Sequence, residues 1–296
     1  MNKLRKSSLH LRRITVSAIF LSLSLIIKSS FTFYVPMFGQ NGMSIGVSGI
    51  FSMMPGILFG PIFGAAVSGL QDILGFILKP AGSFLPFMTL IVALGGFIRG
   101  AIWMLLRNKS SMKMRIAVAA ISVAMLVSGV LNYIYLSADG VNASFYDNVK
   151  IEDVNIEGMH AISKLLIQRT INTSNPGKNL ETYIFPVTAG LVGSALFGLI
   201  LLAADLIISR LFLKDAQKGQ TMQMLIALLV SGLIVTTLNT ILLRETIYTS
   251  WKALPFAAVW IPRAIEEILG NTLKAYFMAV LLGIFNEQRN LKELMI

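Results

Sequence analysis

The chain has 296 residues, of which 55% are hydrophobic and only 13% are charged. Soluble proteins carry about 25% charged residues, so this composition predicts a polytopic membrane protein. The formal net charge is +11, but the basic residues lie at the ends of apolar segments and not among aromatic residues on a polar domain. That distribution is typical of the positive-inside rule and argues against a nucleic-acid-binding protein.

The apolar segments predict about eight transmembrane helices, joined by short loops and one long polar region. A basic tail precedes the first helix and places the N terminus in the cytoplasm. Further basic clusters follow the fourth, sixth and eighth helices, so the C terminus is also expected to be cytoplasmic. The helices are expected at residues 14–35, 45–59, 61–78, 84–106, 117–136, 183–212, 222–243 and 256–285.

The long polar region covers residues 137–181 and contains six acidic and four basic residues. Its nearly balanced charge differs from that of the basic loops, so we expect it on the outer side of the membrane. Within it, residues 159–171 combine apolar and basic side chains at helical spacing. This pattern is typical of a helix that lies on the membrane surface.

Residues 55–90 are too apolar for a soluble helix and too rich in glycine and proline for a simple membrane span. At one end, Gly60 and Pro61 predict a tight turn that lets two helices reverse direction at the cytoplasmic interface. At the other end, Lys79 begins an outer loop. Between them lies Asp72, and an ionisable residue inside a span has either a functional or a bracing role. For Asp72 we favour a bracing hydrogen bond between helices.

Other polar residues within or near the spans have two interpretations each. Arg263 either holds a carboxylate bidentately or snorkels to the outer interface together with Glu266 and Glu267. Asn239 either contacts a ligand amide or joins two helices. Arg99 lies toward the cytoplasmic end of the fourth span, where snorkelling is expected.

Ala18 and Ser22 form a small-xxx-small pair on the first helix. Such a pair lets another helix approach closely, either from a partner or from the same chain. Signatures of enzymes are missing, since the sequence contains no HExxH, GxSxG, Asp-rich diphosphate or Walker A motif. With no cysteine and two histidines, no metal site is expected either, and no cofactor is predicted. Transport driven by ATP would therefore require an ATPase on another chain.

The segment GILFGPIFGAAVSGLQDILGFILKPAGSFLPFMTLIVALGGFIRG resembles the substrate-binding (S) component of energy-coupling factor (ECF) transporters, in particular its folate-type branch. The matching motifs follow one another in order: the glycine-rich turn FGPIFGAAVSG, the run QDILGF, the proline-glycine loop and the ALGG continuation. TTLNTILL and the Pro-Arg start of the last helix extend the similarity to the C-terminal part. The resemblance covers roughly residues 14–107 and 225–285.

This resemblance implies a six-helix core whose outer loops and helix ends close over a vitamin, in the plasma membrane of a bacterium. It also implies partners, namely a transmembrane coupling subunit and two ATPase subunits. Ala18 and Ser22 occupy the place of the small-residue motif that meets the coupling subunit. On this basis we divide the chain into a basic tail (1–13), four core helices (14–107), an inserted two-helix hairpin with its outer loop (108–218), and two further core helices with a tail (219–296).

The sequence thus predicts an S component that captures a vitamin or vitamin-like solute, with a folate-like solute favoured. The candidate wall residues combine aromatic rings, cations and an amide, which suits a flat, anionic heterocycle: Phe33, Lys79, Ser83, Phe84, Asn239 and Arg263. One alternative is a partner-independent secondary transporter with proton coupling through Asp72. A second alternative is an intramembrane enzyme with its site at Asp72, Arg263 and Glu266.

Overall fold

A computed structural model describes residues 3–31, 33–37, 40–45, 48–80, 83–138, 157–158, 160, 185–211, 220–253 and 256–295. Most of the predicted outer loop, including the predicted surface helix at residues 159–171, lies outside these residues. The described chain is almost entirely helical, and seven of its helices are long and apolar enough to cross a membrane. The prediction of an all-α, multi-pass membrane protein is therefore confirmed.

Most helices fall close to their predicted positions, but the first helix begins at Lys3 and not at residue 14, so most of the predicted basic tail is helical. An eighth apolar helix, α2 (Gly49–Phe59), has only 11 residues and is shorter than a full membrane span. A short 3₁₀ helix, Thr249–Ala253, connects α7 (Thr221–Thr246) to α8 (Phe256–Glu287). In chain order, the described α-helices and strands are α1 (Lys3–Phe31), β1 (Phe33–Met37), β2 (Gln40–Ile45), α2 (Gly49–Phe59), α3 (Pro61–Leu78), α4 (Pro86–Leu106), α5 (Ser111–Ala138), α6 (Phe185–Leu211), α7 (Thr221–Thr246), α8 (Phe256–Glu287) and α9 (Arg289–Lys292).

A β-hairpin joins α1 to α2 where the sequence predicted the end of a helix and a loop. Strands β1 and β2 pair antiparallel, with Phe33 opposite Ile45, and the register shifts between Val35 and Met37. Pro36 accounts for the shift in register, because its missing N–H interrupts a β ladder.

The turn between α2 and α3 contains a single residue, Gly60. Its φ is 94°, a left-handed conformation that a residue with a Cβ adopts only under strain. Pro61 then occupies the first position of α3, where the helix needs no backbone donor. The two helices therefore reverse direction without a loop.

The contacts divide the chain into two compact units. The first consists of Met1–Ser111 and Ile208–Ile296, and the second is Met112–Ile207. Helices α1 to α4, α7, α8 and α9 belong to the first unit. Helix α5 and most of α6 form the second unit.

Within the first unit, α2, α3 and α4 approach one another through glycines. A Cβ added to Gly64 would collide with the carbonyl oxygen of Gly96. A Cβ added to Gly100 would lie 2.8 Å from the Cα of Pro61. Small residues of this kind let membrane helices pack backbone against backbone, which brings the polar side chains of the three helices close together.

Within the second unit, a buried ion pair joins α5 to α6. Arg115 Nε donates a hydrogen bond of 2.7 Å to Asp205 Oδ2, and the Asp205 side chain is completely buried. A charge at such a position is tolerated only when a partner compensates it. The pair therefore determines how the two helices align.

We expect Arg115→Met alone to lower the free energy of unfolding of this unit by about 3–5 kcal/mol, since it removes the cation that compensates the buried Asp205 carboxylate. The double variant Arg115→Met/Asp205→Leu should regain most of the loss. Thermal unfolding of the purified chain in detergent micelles measures both effects. A single variant as stable as the wild-type chain would contradict this expectation.

Candidate functional site: a charged cavity in the membrane core

The first unit contains a cavity of about 250 Å³ between α1, α2, α3, α4, α7 and α8. Three cationic and three acidic side chains line it, so their formal charges cancel. Hydroxyl and amide groups complete the polar lining. Ionisable residues at membrane depth are costly and mark solute or ion sites. The charged residues of the cavity are Lys28, Arg99, Lys274, Asp72, Glu266 and Glu267.

Most charged residues of the cavity lie toward one end of the helices, and Arg99 lies beyond the middle of α4. Lys28 is in the last turn of α1, and Asp72 is in the second half of α3. Glu266 follows the start of the last membrane span by four residues. The hairpin follows the same end of α1, and the connection to α4 follows the same end of α3. Arg99 reaches deepest along α4, because 13 residues separate it from the helix start at Pro86, a distance of about 20 Å.

Arg99 is buried, with only 7% of its surface exposed, so the expectation that it snorkels to the membrane interface is wrong. Seven residues separate it from the end of α4 at Leu106, which places it about 10 Å from that end. Inside the cavity it faces the negative charge of Glu267. Its Nε has no hydrogen-bond partner among the described residues.

On one wall, three polar residues of α8 form a chain of hydrogen bonds. Asn271 Nδ2 donates to Glu267 Oε1 at 2.8 Å and to the carbonyl oxygen of Leu228 at 3.1 Å. Lys274 Nζ donates to Asn271 Oδ1 at 3.5 Å. The spacing of these residues, i, i+4 and i+7, places them on one face of the helix.

Gly232 on α7 makes room for this chain. A Cβ at that position would collide with Nδ2 of Asn271 and Oε1 of Glu267. The helices can therefore pack closely while the carboxylate and the amide lie between them. Gly232 is a residue that the sequence did not single out, although it shapes the wall directly.

On the other wall, hydrogen bonds connect α3 to its neighbours. Gln71 Nε2 donates to Ser24 Oγ at 2.8 Å, and Ser24 Oγ donates to the Ser48 carbonyl oxygen at 2.9 Å. Thr89 Oγ1 donates to Asp72 Oδ2 at 2.7 Å. Asp72 thus joins α3 to α4 while also lining the cavity.

Two further charged side chains line the cavity without a direct partner. Within the described part of the chain, no hydrogen bond or salt bridge joins Lys28 or Glu266 to another residue. Lys28 extends over Gly75, where an added Cβ would lie 2.5 Å from its Nζ. The charge of Asp72 acts on Lys28, and the charges of Glu267 and Lys274 act on Glu266.

The predicted wall residues lie elsewhere in the same unit. Phe33 belongs to β1, and its side chain is outside the described part. Lys79 follows the end of α3 and is partly buried, whereas Ser83 and Phe84 are exposed. The Phe84 ring packs 5.2 Å from that of Phe76, centroid to centroid. Lys79, Ser83 and Phe84 do not line the cavity. The contact of all four predicted wall residues with a solute stays a prediction.

Asn239 and Arg263 also lie outside the cavity lining. Asn239 is buried on α7, seven residues after Gly232 and therefore on the same face, and its Oδ1 has no hydrogen-bond partner among the described residues. The Arg263 guanidinium lies 5.9 Å from the ring centroid of Trp251, a completely buried residue of the 3₁₀ helix. Their roles in solute binding likewise stay predictions.

The sequence contained signals for the residues that were missed. Lys28, Gln71 and Lys274 are polar residues inside apolar spans, which marks them for a protein-facing position. On α8, the spacing of Glu267, Asn271 and Lys274 indicates a polar stripe. What the sequence did not contain was the helix rotation that turns these stripes toward one another.

The family of the chain follows from a comparison with known sequences. The sequence model of the family described as "ECF transporter, substrate-specific component" matches residues 12–171, more than half of the chain. The chain belongs to this family. The match includes α1 to α5 and thus four of the six helices around the charged cavity.

Among the individual relatives of this S component is the protein named "Folate transporter FolT" from Clostridium novyi (strain NT). It is 32% identical over 92 residues, which make up 31% of this chain and 52% of the relative. The chain thus spans about half the length of that relative. No solved structure matches the chain.

Proposed function

We propose that this S component is the membrane substrate-binding subunit of an ECF-type importer, which captures a vitamin or vitamin-like solute outside the cell for ATP-driven uptake. The observation that carries the proposal is the charged cavity within the helices of a family of substrate-specific components. The basic clusters favour a cytoplasmic position for both termini. With that orientation, Lys28, Asp72 and Glu266 lie toward the outer ends of their helices, and Arg99 lies deeper.

A folate-like solute is the favoured cargo. Support comes from the name of the similar folate transporter and from the resemblance of residues 56–100 to the folate-type branch. In this proposal, the predicted wall residues lie on the approach to the cavity and not at its base. Asn239 fits this placement, since it continues the face of α7 that begins with Gly232 and Val235 at the cavity.

Native mass spectrometry of the purified chain tests the proposal. We expect one vitamin-sized molecule per chain, and we expect a coupling subunit and two ATPase subunits to co-purify from the native host. Uptake by the isolated chain in liposomes, driven by a proton gradient without ATP, would instead support a secondary transporter. Chemical turnover of a bound molecule by the chain alone would support an enzyme.

A substitution on α1 tests the partnership. Ala18 and Ser22 are both exposed, and their short side chains leave room for another helix. Ser22 Oγ donates to the Ala18 carbonyl oxygen at 2.9 Å, so the hydroxyl group already has a partner within α1. We expect Ala18→Trp/Ser22→Trp to abolish co-purification of the coupling subunit, because the bulky rings prevent close helix approach. Solute retention by the isolated chain should remain unchanged.

The matched control is Leu23→Trp, at an exposed position that lies about 100° around the helix from Ser22. This variant should still co-purify with the coupling subunit. Assembly that survives in the double variant as well as in the control would contradict the proposed role of Ala18 and Ser22.

A further inference from the structure

The charge balance of the cavity restricts the kind of solute that it can hold. A purely anionic solute would meet as many carboxylates as cations there, because three of each line the cavity. Each carboxylate that faced the anion would oppose binding. A solute that carries both an anionic group and N–H donors would meet a complementary partner at each end.

The anion would find its partner in Arg99. This guanidinium is more than nine-tenths buried, lines the cavity and has an Nε without a hydrogen-bond partner in the described part of the chain. A buried polar group without a partner costs free energy, and a guanidinium is suited to bidentate binding of a carboxylate. A bound carboxylate would remove this cost, with Lys28 as a second cation of the lining.

The donor group would find its partner in Glu266. This carboxylate makes no hydrogen bond or salt bridge to any described residue, whereas the neighbouring Glu267 already accepts from Asn271 and Asp72 accepts from Thr89. Glu266 is thus the carboxylate of the cavity that is left to accept hydrogen bonds from a solute. Two N–H groups, or one protonated nitrogen, would satisfy its oxygens.

We propose that the cavity binds an amphoteric solute, or the amphoteric end of a larger one, with its anionic group on Arg99 and an N–H donor edge or protonated nitrogen on Glu266. The inference rests on the proposed function and names the chemical class of its cargo. Size supports a small group, because about 250 Å³ falls below the range of roughly 300–1,000 Å³ typical of pockets for drug-sized ligands.

The test uses the full chain in lipid nanodiscs and three flat probes in isothermal titration calorimetry. Pterin-6-carboxylate carries both groups, pterin carries the N–H donors without the carboxylate, and 2-naphthoate carries the carboxylate without donors. We expect the wild-type chain to bind pterin-6-carboxylate at least about tenfold more tightly than either single-group probe. Each single-group probe lacks one charge-assisted contact, and the loss of one such contact corresponds to about that ratio. Arg99→Gln should remove the advantage over pterin, and Glu266→Gln should remove the advantage over 2-naphthoate.

The variant Arg99→Lys is titrated beside these two variants, and thermal unfolding checks that each variant is folded. Arg99→Lys keeps the charge and should retain part of the affinity. Lys252→Gln is the matched control, because Lys252 is exposed, pairs with Glu245 and lies outside the cavity lining; its affinities should equal those of the wild-type chain. The inference would be overturned if the wild-type chain bound 2-naphthoate as tightly as pterin-6-carboxylate. It would also be overturned if Arg99→Gln and Glu266→Gln folded and kept the wild-type ratios of affinity among the three probes.

Failure of the inference can be told apart from failure of the proposed function. If none of the three probes binds while native mass spectrometry finds another, purely anionic or uncharged solute on the chain, the amphoteric class is wrong and the proposed function stands. If no solute is retained and no coupling subunit assembles with the chain, the proposed function itself is wrong.

Discussion

Replacement of Gly96 by leucine is expected to disrupt the packing of α3 against α4. A Cβ at this position would lie 2.6 Å from the carbonyl carbon of Gly64, which belongs to the backbone of the neighbouring helix and cannot move aside. Overpacking in a core typically costs about 1–3 kcal/mol, and more when the backbone must shift. We therefore expect the midpoint of thermal unfolding to fall by on the order of 10 °C, with little folded protein recovered.

The matched control is Gly193→Leu. Gly193 lies on α6, and a Cβ added there meets nothing within 4 Å, so this leucine should leave the unfolding midpoint unchanged. Size-exclusion chromatography and thermal unfolding in the same detergent compare the two variants. A Gly96→Leu variant with the stability of the Gly193→Leu control would show that α3 and α4 do not pack through these glycines.

Replacement of Gly232 by alanine is expected to reduce solute binding without unfolding the chain. The added Cβ would collide with the side-chain ends of Glu267 and Asn271, and such ends can move whereas backbone cannot. The hydrogen bond of 2.8 Å between them would be displaced, and Glu267 would leave its position beside Arg99. Disruption of a buried, hydrogen-bonded charged group typically costs about 2–5 kcal/mol, so we expect affinity to fall by on the order of 30-fold or more.

Native mass spectrometry measures the fraction of chains that retain solute, and titration of the recovered solute gives the affinity. Gly69→Ala is the control for this variant, because its Cβ would meet the Ala93 Cβ at 3.4 Å, an ordinary contact. The control should retain solute at the wild-type level. Full retention by Gly232→Ala as well would contradict the assignment of the Glu267–Asn271 wall to the site.

The bounds of the helices were largely predictable because proline, glycine and charged residues mark them. Helix α3 has the predicted limits, since Pro61 fits only at its start and Lys79 follows the last apolar residue. The hairpin after α1 was not predicted. Residues 33–35 read as the apolar end of a span and the residues after Pro36 as a loop, whereas the pairing of β1 with β2 satisfies backbone groups of both strands.

The residues of the cavity were only partly predictable. Asp72, Glu266 and Glu267 stood out as ionisable residues at membrane depth, and all three line the cavity. Arg99 was assigned to the interface because it lies toward the end of its span, where long cationic side chains commonly snorkel. Its burial beside Glu267 depends on the contact between α4 and its neighbours, which a single span does not reveal.

By itself, the sequence determined that this chain is an all-α, multi-pass membrane protein and, through ordered motifs, that it resembles the S components to which it belongs. Apolar length and charged flanks carry that information locally, because each span must satisfy the bilayer on its own. Only the tertiary structure decided which polar side chains meet. The contact of Gly64 with Gly96 fixes how closely α3 and α4 pack, and the packing of the helices together brings Arg99, Glu266 and Lys28 to one cavity.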